Sequence, residues 1–333
     1  MLITFLIPLI LVILYYGKFL LIPLFFSFFI FILLRSLSEK VNEKFMTISR
    51  VGYNFSFIIV CTALIFFFYI LGVLIEKNIL SVISQSQVYQ SNFEQFVSYI
   101  DERNLKPLIS IFKNIISNIN FNSIFSNILT VLTNIAGNIS LIIIILIFFI
   151  LEETFLITKF SKMKLDKSYG RIFLKIKNEI YNYFQIKLVT SLLTGLLSFT
   201  ILFFFSSDLS VFFGILAFLL NFIPFIGSLI AVIIPFIFSL IQNLDFVNSL
   251  FLFITLLVSQ LVVGNFIEPK LMGKSLNLSP LIMLLTLSVM GKLWGLSGMF
   301  LSVPILVILL IIFSNFNKTR KIAIFLSEKG NIS

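Results

Sequence analysis

The feature that most constrains this chain is a series of long apolar runs with very few charges inside them. Crossing the hydrocarbon core of a bilayer takes about 20 apolar residues, or fewer where a segment is short or paired. Nine runs are candidate membrane segments: 2–16, 19–34, 53–75, 139–158, 186–206, 209–241, 246–267, 279–290 and 295–313. They predict an all-α, polytopic transmembrane protein.

The composition also indicates that the solvent of this chain is lipid. Apolar residues make up 59% of the sequence and the mean hydropathy is +1.13, which is more apolar surface than a soluble fold covers. There is no histidine, and the one cysteine, Cys61, lies inside an apolar run. These features argue against His-based catalysis, zinc clusters and intrachain disulfides. We therefore expect neither an enzyme nor a metal or cofactor site.

Positive charges cluster between the runs and indicate topology. Eighteen of the 24 Lys and Arg residues fall in 35–50, 159–187 and 318–333 or at Lys270 and Lys274. These segments share one side if 2–34 forms a hairpin and 209–241 enters the membrane and returns. By the positive-inside rule that side is cytoplasmic. Both termini are then cytoplasmic, and the net charge of +10 reflects topology rather than nucleic-acid binding.

Two further segments differ from the apolar runs around them. The start of the chain has no basic stretch and no small-residue cleavage site, so it predicts a retained anchor rather than a signal peptide. Residues 76–138 are rich in Asn and Ser, with apolar residues at helical spacing. That spacing predicts external amphipathic helices, which either pack on themselves or lie against the membrane or neighbouring subunits.

Two similar polar interruptions occur in the C-terminal half. NFIPFIG at 221–227 divides a run too long for one helix, and NFIEPKLMG at 265–273 follows another run. Each has Asn-Phe-Ile, then Pro, then Gly. Paired breaks of this kind point to the substrate site of secondary transporters, where irregular backbone lies beside protein or water. Polar side chains within membrane segments face such sites, and the candidates for binding a substrate or ion are Asn221, Gln260, Asn265 and Glu268.

A third pattern is GKLWGLSG at 291–298, whose glycines either form one small-residue helix face or a turn between two half-helices. If it is a turn, it is the tip of a hairpin on the external side. The predicted breaks and hinges in this half of the chain are Pro224, Gly227, Pro269, Gly273, Pro280, Gly291, Gly295, Gly298 and Pro304. GKS at 273–275 is not a phosphate loop, because Glu268 stands where the first glycine would be.

From about 139 to 313 the chain resembles the autoinducer-2 exporter family of bacterial permeases. The resemblance rests on four blocks: ILEE at 150–153, YNYFQIKLVTSLLTG at 181–195, NFIPFIGSLIAVIIP at 221–235 and MGKLWGLSGMFLSVP at 290–304. The segment at 263–280 belongs to the same series. The chain departs from the family pattern at Ile186-Lys187, where Gly-Gln is usual, and at Ser228, where Pro is frequent.

The resemblance implies efflux of a small solute such as autoinducer-2, with sodium or lithium/proton exchange as the alternative. It also implies a homo-oligomer, for which a pentamer is one candidate size. A non-transporting membrane scaffold is the alternative from a different class. Glu268 is the only candidate carboxylate for ion coupling, and the scarcity of such carboxylates favours an uncharged or weakly charged solute.

The predicted layout has four parts in the bacterial inner membrane. Residues 1–75 form N-terminal transmembrane helices, and 76–138 form the external helical region. Residues 139–317 form a transport core with re-entrant or broken helices and a cytoplasmic basic segment at 159–187. Residues 318–333 form a cytoplasmic tail. The expected partners are the lipid bilayer and the transported solute or ion.

Overall fold

The structure is a computed structural model. It describes residues 2–46, 53–84, 87–92, 94–95, 139–153, 155, 167–272 and 277–330. Most of the predicted external helical region lies outside the described residues. The predicted hinge residue Gly273 also lies outside them.

The described residues form helices without any strand, which confirms the all-α expectation. The helices are α1 (Leu2–Tyr16), α2 (Lys18–Met46), α3 (Tyr53–Ser84), α4 (87–92), α5 (139–153), α6 (Lys167–Phe204), α7 (Ser210–Leu220), α8 (Ile226–Asn243), α9 (Phe246–Val262), a π-helical turn (Val263–Ile267), α10 (Glu268–Met272), α11 (Pro280–Asn315) and α12 (Arg320–Leu326). Six segments of these ranges are long and apolar enough to cross a membrane: Lys18–Glu43, Phe55–Asn78, Gly170–Phe204, Ile226–Asn243, Phe246–Met272 and Pro280–Asn315.

The chain divides into two compact units. The first unit comprises 1–64, 136–186 and 271–333, and the second comprises 65–135 and 187–270. All four candidate binding residues belong to the second unit, whereas the glycines of the GKLWGLSG pattern belong to the first.

In the second unit, α7 and α8 form a helical hairpin. Leu209 and Phe213 at the start of α7 share a buried cluster with Phe238 and Ile241 near the end of α8, so the two helices run antiparallel. Helix α7 has 11 residues, which is about 16 Å and roughly half of a ~30 Å hydrocarbon core. The long run at 209–241 is therefore broken and returns, as the sequence predicts.

A hydrogen-bonded network fixes α4 against this unit. The buried Tyr89 hydroxyl donates to Asp208 Oδ2 at 2.8 Å, and the Asp208 amide donates to Gln242 Oε1 at 3.1 Å. Gln242 Nε2 donates in turn to the Ser206 carbonyl, and Asn92 Nδ2 donates to the Gln242 carbonyl. Burial, and then the hydrogen bond and the negative charge of Asp208, raise the pKa of the Tyr89 phenol, so it remains a donor.

In the first unit, α11 is two helices that fold back on each other at Gly295. The backbone there has φ 63° and ψ −142°, which glycine adopts without strain. A Cβ atom on Gly298 would lie 2.0 Å from the Met290 carbonyl oxygen, although eight residues of straight helix span about 12 Å. Of the two alternatives for GKLWGLSG, the structure therefore shows the turn between two half-helices, which forms the tip of a hairpin.

Two predicted features near the N-terminus are wrong. Only Gly17 separates α1 from α2, and helical hydrogen bonds run from its amide to Ile13 and from the Leu21 amide back to its carbonyl. A helical hairpin needs a connection of about 2–5 residues, so the break at Gly17 is a helix interruption and not a hairpin. The predicted loop at 35–50 is helical as far as Met46.

The predicted helix boundaries shift elsewhere as well. Helix α3 continues to Ser84, past the predicted end of its run at residue 75. Pro280 is the first residue of α11, as a helix-starting proline should be. Pro304 lies buried inside α11 without ending it, because neighbouring groups in membrane proteins accommodate a helical proline.

Acidic residues of the first unit pair with basic residues on neighbouring helices. Glu153 at the end of α5 forms an ion pair with Arg35 of α2. Lys177 of α6 donates to both carboxylate oxygens of Glu39 at 2.7 and 2.9 Å. The basic residues that the sequence assigns to loops are therefore helical in part.

Candidate functional site

One face of α6 carries a row of buried polar side chains within the second unit. The row consists of Lys187, Thr190, Ser191, Thr194 and Ser198. Their spacing of three, four and seven residues brings them to one side of the helix. Polar groups in a membrane segment face protein or a cavity rather than lipid. The row therefore marks the side of α6 that the rest of the unit covers.

Lys187 begins this row and pairs with Glu268. Its Nζ atom lies 2.5 Å from Glu268 Oε1, and the two side chains are 5% and 15% exposed. No charged residue lies between Leu188 and Phe204 in α6 or between Phe246 and Ile267. The pair therefore lies at the boundary of two uncharged stretches: the one in α6 begins directly after Lys187, and the other ends directly before Glu268. The sequence places Lys187 at the end of the basic segment 159–187 and at the start of the run 186–206, and the structure buries its side chain within α6.

A π-helical turn presents Glu268 to Lys187. The Glu268 amide donates to the Val263 carbonyl five residues earlier, where an α-helix would use a residue four earlier. Pro269 follows within α10, and a proline ring would otherwise clash with the carbonyl four residues before it. The widened turn accommodates that ring. At Pro269 the helix is irregular rather than broken, since the π-helical turn precedes it and the chain continues helically to Met272.

Asn221 lies at the tip of the α7–α8 hairpin and contacts the same polar row. Its side-chain amide donates to Ser191 Oγ at 3.0 Å and lies 3.5 Å from Thr190 Oγ1. The Thr190 hydroxyl also donates to the Lys187 carbonyl at 3.2 Å. The prediction thus named Asn221 and Glu268, and the structure joins each of them to the α6 row.

A close crossing of α6 and α7 holds Asn221 in register with that row. A Cβ on Gly195 would lie 2.9 Å from the Gly214 carbonyl oxygen, and one on Gly214 would lie 2.8 Å from Phe199 Cβ. Only glycine at both positions allows this approach of the two backbones. Asn221 is two helical turns beyond Gly214, and Ser191 is one turn before Gly195.

The hairpin tip itself is strained. The Ile226 amide donates to the Pro224 carbonyl at 2.6 Å across Phe225, whose φ of 60° and ψ of −59° are those of a γ-turn that is rare for a bulky residue. Gly227 fits under this turn because a Cβ there would lie 1.8 Å from the Leu220 carbonyl oxygen. Strained backbone of this kind is concentrated at functional sites.

The other two candidates differ from this arrangement. Gln260 is 7% exposed, on the face of α9 that also buries Leu252, Leu256 and Val263. Within the described residues its Nε2 atom has no hydrogen-bond partner. Asn265 is exposed on the π-helical turn, and the structure does not bring it to the α6 row.

Sequence reasoning missed Lys187, Thr190, Ser191 and Thr194 as members of the site. The block YNYFQIKLVTSLLTG contains all of them, and their helical spacing is visible there. The lysine was grouped with topology signals because basic residues precede it in the chain. Among the described residues no group of three His, Cys, Asp or Glu side chains could hold a metal ion.

Apolar helices of spanning length, two helical hairpins and a buried polar row with an ion pair define a multi-pass membrane protein of the transporter class. The chain belongs to the AI-2E transporter family, and the model of that family matches residues 3–318. The family is of the transporter type.

Curated relatives give the same family. A candidate transport protein of Borreliella burgdorferi is 34% identical over 246 residues, which is 69% of this chain and 66% of the relative. The AI-2 transport protein TqsA of Escherichia coli is 34% identical over 207 residues, which is 62% of this chain and 60% of the relative. The chain thus aligns with less than two thirds of the length of each of these relatives. The family and the six apolar helices support a location in the inner membrane.

Proposed function

We propose that this protein is a secondary transporter that exports a small polar solute across the bacterial inner membrane. The observation that carries the proposal is the buried polar row of α6. Asn221 donates a hydrogen bond to Ser191 of this row, and Glu268 forms an ion pair with Lys187. Polar and ionisable groups are costly inside a membrane protein, and they mark substrate pathways there. The hairpin tip beside the row supplies the irregular backbone that transport sites use.

The charge of the site favours an uncharged or weakly charged solute. Lys187 and Glu268 neutralise each other at 2.5 Å, so the site has no net charge to attract or repel a strongly ionic substrate. The hydroxyls of Thr190 and Ser191 and the amide of Asn221 are hydrogen-bonding groups suited to a hydroxylated solute. The name of the E. coli relative makes autoinducer-2 the first such solute to test.

Sodium or lithium/proton exchange is the second candidate. It is supported by one observation, which is a carboxylate, Glu268, within a membrane segment. The pairing of that carboxylate with Lys187 ranks ion exchange below solute export. No observation among the described residues supports the alternative of a non-transporting scaffold.

Topology and assembly are part of the proposal. The positive-inside rule places the basic stretches of α2 and α6 and the C-terminal tail in the cytoplasm. Lys187 lies near the middle of α6, where the basic stretch of the helix meets its uncharged stretch, so the Lys187–Glu268 pair lies toward the cytoplasmic half. The interrupted helix at Gly17 removes the hairpin that supported a cytoplasmic N-terminus, and that side remains a prediction. A homo-oligomer, with a pentamer as one candidate size, is the assembly to test.

The experiment is uptake into inverted membrane vesicles, in which export appears as accumulation. Vesicles with the wild-type protein and vesicles with Glu268→Gln are supplied with autoinducer-2, a panel of small polyols, and sodium or lithium under an imposed proton gradient. Accumulation of a neutral solute by the wild type, above vesicles without the protein, supports export. Exchange of sodium or lithium for protons without any solute uptake would replace export with the second candidate. No movement of any solute or ion would favour the scaffold.

A further inference from the structure

We propose that Lys187 is a built-in counter-cation that prevents Glu268 from binding a small monovalent cation. Removal of the lysine charge is then expected to turn the Glu268 position into a sodium or lithium site. The binding claim stands on the geometry of the pair. Only its consequence, which is transport without sodium coupling at this carboxylate, rests on the proposed function.

The first step is that the Glu268 carboxylate needs a cation. Its side chain is 15% exposed, and the side chain of Lys187 is 5% exposed. Removing one partner of such a pair leaves an uncompensated buried charge, which is strongly unfavourable. A carboxylate without its lysine therefore binds another cation or takes up a proton.

The second step is that Lys187 fills the position that a cation would occupy. The ammonium nitrogen lies 2.5 Å from Glu268 Oε1, which is the distance range of oxygen ligands around small hard cations. Within the described residues, Lys187 is the only basic side chain paired with this carboxylate. An ammonium group on a flexible stem acts as a compact point charge, so it stands in for a free monovalent ion.

The third step concerns the class of cation. One carboxylate balances one positive charge, whereas calcium sites combine 6–8 oxygen ligands and usually several carboxylates. The remaining groups in the row are hydroxyls, such as that of Thr190, which already accepts from Asn221 and donates to the Lys187 carbonyl. Pro269 has no amide hydrogen to offer to the carbonyls of the preceding turn, so this turn keeps acceptor capacity near Glu268. Oxygen ligands and a single negative charge suit sodium or lithium.

The test measures binding of radioactive sodium to the purified full-length protein in lipid nanodiscs. Four proteins are compared: wild type, Lys187→Gln, Glu268→Gln and the double variant. Measurements run from about pH 6 to pH 9, so that sodium is tested against protons as the competing cation for the carboxylate. We expect Lys187→Gln to bind sodium at least about tenfold more tightly than the double variant, a difference of ~1.4 kcal/mol. We expect the wild type to match Glu268→Gln.

Two results would overturn the proposal. One is sodium binding by the wild type that is as tight as in Lys187→Gln and is lost in Glu268→Gln. The other is a Lys187→Gln protein that binds no more sodium than the double variant anywhere in that pH range.

A second measurement guards against a variant that is merely unstable. A ligand that binds only the folded state raises the unfolding temperature. We expect sodium chloride, compared with choline chloride, to raise it for Lys187→Gln and not for the double variant. The charge-swapped protein, Lys187→Glu with Glu268→Lys, keeps the pair and is expected to show no sodium effect. Equal shifts in all variants would contradict the proposal.

These measurements need no transport activity. If the vesicle experiment shows no transport while Lys187→Gln binds sodium through Glu268, the proposed function fails and this inference stands. If transport is found and sodium binding does not depend on Lys187, the reverse holds.

Discussion

The ammonium group of Lys187 lies 2.5 Å from a carboxylate oxygen of Glu268, 81 residues further along the chain. The contact joins α6 to the short helix that follows the π-helical turn. Both side chains are largely buried, so each depends on the other for its charge to be tolerated.

The first prediction is that the two residues are strongly coupled in stability. Lys187→Met and Glu268→Gln each leave one buried group unpaired, and each is expected to destabilise the protein by about 3–5 kcal/mol. The double variant removes both charges and is expected to recover a large part of that loss. Unfolding temperatures of the purified proteins in detergent measure this. Simple additivity of the two losses would show that the contact is not a coupled pair.

The second prediction separates two asparagines that occupy the same place in similar sequence motifs. Asn221 donates to Ser191 in the buried row, whereas Asn265 is exposed. We expect Asn221→Ala to cost about 1 kcal/mol of stability and to reduce solute transport strongly, while Asn265→Ala changes both little. Transport in inverted vesicles, normalised to protein content, gives the comparison. A larger transport defect in Asn265→Ala would move the site to the π-helical turn.

The third prediction concerns the tip of the α7–α8 hairpin. Gly227→Ala places a Cβ 1.8 Å from the Leu220 carbonyl oxygen, and backbone cannot yield as a flexible side chain does. We expect a loss of about 3 kcal/mol or more, with loss of transport. Gly72→Ala is the matched control, because nothing lies within 4 Å of a Cβ there and alanine favours a helix. Similar unfolding temperatures for the two variants would mean that the tip is not tightly packed.

The fourth prediction concerns pH. Burial and Asp208 raise the pKa of Tyr89 above its ordinary value near 10. A raised folded-state pKa stabilises the protein fully below about pH 10, and this contribution is lost as the pH rises toward the folded-state pKa. We therefore expect the wild type to lose stability above about pH 10 more steeply than Tyr89→Phe. Tyr89→Phe is expected to be less stable by about 1 kcal/mol at neutral pH, because it lacks the hydrogen bond.

Unfolding temperatures across alkaline pH, with Asp208→Asn as a second variant, measure this effect. Parallel curves for the wild type and Tyr89→Phe would show that the Tyr89–Asp208 contact does not form.

The sequence predicted the apolar helices and the in-and-return run at 209–241, because run length and the NFIPFIG interruption are local signals. It named Asn221 and Glu268 for the same reason. It did not predict the partner of Glu268, since a contact across 81 residues leaves no local pattern. Lys187 lies at the end of a basic stretch, and only its burial in the fold separates it from the lysines before it. The sequence did not predict that the chain remains helical through Pro269. A proline is easily recognised as a helix breaker, whereas a π-helical turn has no comparable sequence pattern.

The measurement that tests the central claim most directly is solute export by the charge-swapped protein. Inverted vesicles carrying wild type, Glu268→Gln, or Lys187→Glu with Glu268→Lys are compared for accumulation of autoinducer-2, or of whichever polyol the wild type moves. We expect the wild type to accumulate the solute, Glu268→Gln to lose most of that activity, and the swapped protein to regain a measurable part of it. Full activity in Glu268→Gln would contradict the claim that the Lys187–Glu268 pair belongs to the transport site.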